Sequence, residues 1–476
     1  MLTSTAYEDS SLSFWPRVRD FAVPPSMIET ATARRLRGDW AGACAAAGVD
    51  LDLDLRSSAR THGRELMSRV RRDLRHLAPD LLRWHLPRVA PDGLLRPGLT
   101  ITLARYEGAG RDGVRPVHLV VRTPPAWADG GQRIGLALWD AASAGSRDRF
   151  SFDTGARRHP HPRPSRRYRL DLHRHLWDTR RTGELRARSG AGLPADGARP
   201  GSADPPGPVP AGLGCAVGRW ADEAAILLRD EGRTSGTVTV RLGTRRWFLL
   251  DLAADPERAG PPALRITAAP ADGTGEGPAV PVLPDAATWV LPDLALLRAG
   301  AVGAEQLHPL VASALVLDHT PAPAPRSTDP AGGARLVECR GAVHRIGLVD
   351  GVLAALDHDP DEIRREELLV ALTGTPLPCL RVIDEAHRRP HCLSGVRERL
   401  RHGDTAGALA VVEGLLGPEA VLREGALRDE LRAAALRRLT YGLFRAGLAG
   451  PGPDHLGPGP ARPRDHRSHP RDTTRR

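Results

Sequence analysis

The stretch Leu99-Thr100-Ile101-Thr102-Leu103-Ala104 places an apolar side chain at every second position. The alternation returns at Ile134, Leu136 and Leu138 and again at Val238, Val240 and Leu242. A period of two sends successive side chains to opposite faces of a pleated strand, so these segments predict a central β region. Val117 to Thr123, Phe150 to Asp153, Tyr168 to Leu172, Arg246 to Leu252, Leu264 to Thr267 and Val280 to Leu283 extend it. Gly243-Thr244 offers a turn between two of these strands.

Toward the N-terminus the apolar period lengthens to that of a helix. Pro24-Pro25-Ser26 opens a helix over Ile28 to Arg37, and Gly38-Asp39 separates it from a short one over Ala41 to Ala47. Leu66, Val70, Leu74 and Leu77 form a stripe on a helix expected from Ser58 to Leu77, continued by Asp80 to His85. Between them Asp50, Asp52 and Asp54 alternate with leucines, the pattern of a half-buried strand or turn more than of a cation site.

Toward the C-terminus, Asp359-Pro360-Asp361-Glu362 supplies a cap, a first-turn proline and a carboxylate just before Ile363, Leu368, Leu369 and Leu372. A last helix from Gly425 to Phe444 carries Leu427, Leu431, Leu439 and Leu443 on one face. The fold class expected is α+β, with mainly antiparallel strands. A helical segment spans 1–94, a β-rich region with an Arg-rich end 95–188, and a Gly/Pro-rich linker or insertion 189–214. A second β-rich region ending in helix spans 215–319, a Pro-rich linker 320–334, a helical bundle 335–449 and a disordered basic tail 450–476.

Composition removes whole mechanisms. All 67 basic residues are Arg, and the 476-residue chain has neither Lys nor Asn, as a very GC-rich bacterial genome would produce. Without an ammonium there is no P-loop lysine, no Schiff base and no Ser-x-x-Lys acyl transfer. The sequence offers no cofactor motif, so no cofactor is expected, and no G-x-S-x-G or H-E-x-x-H signature. Five dispersed cysteines, a polar N-terminus and no long apolar run point to a cytoplasmic protein without a membrane span.

The net charge of +10 is concentrated in patches. Residues 157–188, RRHPHPRPSRRYRLDLHRHLWDTRRTGELRAR, hold 11 Arg against 3 acidic residues, and Arg56 to Arg75 hold 7 against 2. Arg157, Arg158, Arg163, Arg166, Arg167, Arg169 and Arg174 can pair phosphates or acidic partners, and Tyr168 and Trp177 can stack on bases. The metal candidates are Cys379, His387, His391 and Cys392, with zinc's preferred ligand atoms but not the spacing of the common zinc motifs. An echo joins Arg35 to Ala43 with Arg399 to Ala408, each a helix ending at Gly and restarting after Asp. The reading reached is a non-enzymatic cytoplasmic scaffold or adaptor with unidentified protein partners. The alternative is a nucleic-acid-binding protein using Arg157 to Arg188.

Overall fold

The computed structural model describes residues 14–107, 116–141, 159, 161–193, 209, 214–243, 246–253, 263–268, 280–317 and 335–450. The strand expected at Phe150 to Asp153, Arg157 and Arg158, most of both linkers, and the tail from 451 lie outside these residues. The chain divides into two compact units, Met1–Ala322 with Leu443–Arg476, and Pro323–Gly442. Both expected β-rich stretches therefore belong to one unit.

The first unit holds two main sheets. β1 (Val49–Asp52) is followed by a hairpin of β2 (Arg88–Val89) and β3 (Leu94–Leu95), then β4 (Thr100–Tyr106), β5 (Val117–Arg122) and β6 (Ile134–Asp140). The larger sheet runs β1-β6-β5-β4, antiparallel except where β1 lies parallel on β6 with Val49 opposite Ile134. The aspartate-leucine alternation thus forms a sheet edge: Asp50 pairs Arg133 at 2.6 Å, and Asp54 caps the next helix. The second sheet is an antiparallel meander of β7 (Gly236–Leu242), β8 (Arg246–Ala253) and β9 (Ala263–Ala268).

Helices α1 (Pro25–Leu36), α2 (Trp40–Ala46), α3 (Leu55–His62), α4 (Arg64–His76) and α5 (Pro79–His85) precede or flank the first sheet. Leu66, Val70 and Leu74 of α4 share one core with Ile101, Leu119 and Leu136. The single helix expected from Ser58 to Leu77 is broken at Gly63, whose φ of +88° lies where a side chain is strained. Tyr168 to Leu172 is not a strand. Local turns, with Tyr168 N–H on the Ser165 carbonyl and His173 N–H on that of Leu170, replace a ladder, and Arg169 keeps one bridge to Thr102. α6 (Val217–Asp230) was missed, although Trp220, Ala224, Leu227 and Leu228 have helical spacing and build the second core with Val238, Val240 and Leu250.

The second unit opens not with a helix but with a three-stranded antiparallel meander, β10 (Arg335–Cys339), β11 (Ala342–Val349) and β12 (Val352–Ala355). Both of its turns have two residues at positive φ, Arg340-Gly341 and Asp350-Gly351, the geometry that suits the twist of a tight hairpin. Five helices follow: α7 (Pro360–Thr373), α8 (Pro378–Arg388), α9 (Leu393–His402), α10 (Thr405–Leu416) and α11 (Ala426–Arg445). Leu427 of α11 is fully buried, but Leu439 is 60% exposed, so the expected leucine stripe serves the core only at its start.

The sequence echo has a structural counterpart. Asp39 accepts from Gly42 N–H at 2.8 Å and pairs with Arg34 at 2.9 Å. Asp404 accepts from Gly407 N–H at 2.9 Å and pairs with Arg399 at 2.7 Å. Counted from the Asp, the turns align without an insertion, and each second Gly leaves room for the capping carboxylate.

Candidate functional site

The Arg-rich segment is stitched into the first unit. Tyr168 and Trp177 are buried, with Arg167 5.5 Å above the Tyr168 ring centroid and Arg174 4.9 Å above that of Trp177. Arg167 donates to Asp285 at 2.5 Å, Arg169 to Asp230 at 2.7 Å, and Arg174 to Asp73 at 2.5 Å and Asp178 at 2.9 Å. Arg180 joins the same two carboxylates, and Tyr106 donates its hydroxyl to Asp73. Arg163 and Arg166 are exposed and make no ion pair among the described residues.

The densest charge cluster surrounds Glu223 on α6. Its carboxylate receives Arg188 Nε and Nη2, both at 2.7 Å, Arg219 Nη2 at 2.9 Å and His173 Nε2 at 3.1 Å. Burial alone would raise this carboxyl, but the hydrogen bonds from His173 and Arg188 and the charge of Arg219 hold it far below the usual carboxylate range. A small cleft beside it is lined by His175, Arg188, Ser189, Arg219, Asp285 and Trp289. The Ser189 hydroxyl donates to the Arg186 carbonyl at 3.1 Å, not to a base.

Burial also lowers several histidines. His159 is pushed down to about 4. Its Nε2 lies 2.8 Å from the Thr123 carbonyl and its Nδ1 accepts from His161 N–H, so a second ring proton has no acceptor. In the unfolded chain such a ring gains its proton below about pH 6.5. The fold then binds fewer protons than the unfolded chain, and stability falls as the pH drops from about 6.5 toward 4. His159→Gln removes that share: between those pH values the variant is expected to lose roughly 3 kcal/mol less than the parent chain. Denaturant titrations at the two pH values read the difference, and equal losses would refute it.

In the second unit the fold gathers a different set of ligand atoms. Cys339 ends β10, His358 lies in the turn before α7, and Cys379 is the second residue of α8 after Pro378. One ligand atom from each lies within 4.8 Å of the others, and this is the one such group among the described residues. Of the predicted candidates, Cys379 takes part. His387, His391 and Cys392 do not: His387 is buried, His391 is exposed and Cys392 stands at the N-terminal boundary of α9 without a side-chain capping bond. The partners of Cys379 were illegible because they stand 40 and 21 positions upstream, with no short spacing to mark them. Burial and the neighbouring Cys339 push the Cys379 thiol up to about 11.

The second unit also displays apolar side chains. Leu368, Leu369 and Leu372 are 65%, 48% and 85% exposed, and α7 buries none of its residues. Its half-buried side is Ile363, Glu366 and Val370. On the sheet, Leu336 and Val343 are 65% and 64% exposed.

No helix among the described residues is long and apolar enough to cross a membrane. No protein-family model matches this chain, and no curated protein and no solved structure matches it.

Proposed function

We propose that this chain is a non-enzymatic cytoplasmic protein-interaction protein, a scaffold or adaptor whose second unit docks another protein. The observation that carries this reading is the outward side of α7. Leu368 and Leu372 stand one turn apart, with Leu369 beside them, flanked by Glu367, Arg364 and Arg365. An apolar ridge with a charged rim is the arrangement a protein interface uses. Five free thiols fit a reducing compartment. The competing partner is nucleic acid, for which the exposed Arg163 and Arg166 would be the contacts.

The test is capture of partners by the tagged full chain in its own host, with nuclease present. Leu368→Ser with Leu372→Ser is expected to reduce recovery of a stoichiometric partner by more than about tenfold. Leu36→Ser, at a 76% exposed position of the first unit, is expected to leave recovery unchanged. Equal recovery with the double variant, or partners lost to nuclease together with co-purifying nucleic acid, would overturn the reading.

A further inference from the structure

We propose that Cys339, His358 and Cys379 bind a zinc ion that ties together the sheet, the turn before α7 and the start of α8. The proposal is independent of the apolar ridge. It stands on three observations that converge.

The ligand atoms are assembled from three separate elements within 4.8 Å of one another, and their types, two sulfurs and an imidazole, are those zinc prefers. Both cysteines are buried, and the His358 side chain is 3% exposed.

The imidazole keeps one nitrogen unspent. His358 Nδ1 lies 3.6 Å from Glu362 Oε2, while its Nε2 is buried with no hydrogen-bond partner. Closing that gap to a hydrogen bond would fix which ring nitrogen is offered to a metal. Glu362 is itself held by Arg340 at 2.5 Å, and Arg340 follows Cys339 directly in the hairpin turn. The His344 ring stacks on that of His358 with centroids 4.2 Å apart.

The surrounding core is small. Where α8 meets the sheet the fully buried set is Cys339, Ile346, Cys379 and Ile383, so half of it is cysteine. Zinc takes both sulfurs as thiolates while two protons leave to solvent, so two negative charges balance the dication and no net charge is buried.

The full chain, purified under reductant and stripped with a chelator, is titrated with Co2+ and then Zn2+. The expected result is one ion per chain, with a thiolate-to-cobalt charge-transfer band that Zn2+ abolishes. Cys339→Ser and Cys379→Ser should each weaken binding by more than about 100-fold, beyond the loss expected from an outer partner such as Glu362. Cys392→Ser and Cys215→Ser should retain it. In case the serine variants fail to fold, His358→Cys keeps three ligands and should strengthen the sulfur band. A parent chain that gives no sulfur-to-cobalt band, binding lost equally in Cys392→Ser, or Cys339 and Cys379 recovered as a disulfide from reduced preparations would overturn the assignment.

Discussion

Glu223→Ala is expected to destabilise the first unit by about 3–5 kcal/mol, because it leaves buried cations without their counter-charge. Arg219 and Arg188 have side chains 7% and 19% exposed and their guanidinium groups converge on this carboxylate, and the buried His173 ring would lose its hydrogen-bond partner. A midpoint lower by on the order of 10 °C should result. All nine Trp lie between Trp15 and Trp289, so tryptophan fluorescence reports the first unit alone. Glu184→Ala is the contrast: its pair with Arg181 is 40% and 56% exposed, and its loss should cost about 0–1 kcal/mol. A Glu223 variant melting within a degree or two of the parent chain would refute this account of the Arg-rich segment as internal wiring.

The second large effect belongs to the other unit. Gly417, directly after α10, has φ of +94°, and a Cβ built there falls 1.4 Å from the Gly351 carbonyl oxygen in the β11–β12 turn. No rotamer relieves a clash with backbone, so Gly417→Ala must displace either the helix end or the hairpin. A loss of about 3–5 kcal/mol is expected. Gly374→Ala also has positive φ, at +74°, but meets nothing within 4 Å. It should cost only about 1–2 kcal/mol. Because the second unit lacks Trp, the Gly417 variant should lose helical circular dichroism at lower denaturant while its fluorescence transition stays in place. Coincident shifts in both signals, or equal costs at the two glycines, would contradict the argument.

What could be read from the sequence was what periodicity encodes. Strands β4 to β9 lie where apolar residues alternate or cluster, and the capping Asp359 accepts from Asp361 N–H as its sequence context implies. Periodicity does not report what a face packs against. Leu368 and Leu372 obey the helical stripe yet point outward, since Ile363 and Val370 form the inner side. It is equally blind to charge neutralisation at a distance. Arg174 meets Asp73 from 101 positions away, and Arg167 meets Asp285 from 118, so a segment that reads as a free basic patch is largely consumed inside the fold. The metal candidate was legible at one residue only. Cys379 has helix-start context, whereas Cys339 and His358 reach it through a hairpin and a turn.

The proposed docking ridge on α7 can be probed in living cells of the native host by photo-cross-linking from position 372. With a photoreactive amino acid replacing Leu372, the account expects one predominant protein adduct, reproduced from position 368 and absent from position 36. Adducts with nucleic acid alone, with another copy of this chain alone, or none from 368 and 372 while 36 reacts as well, would contradict it.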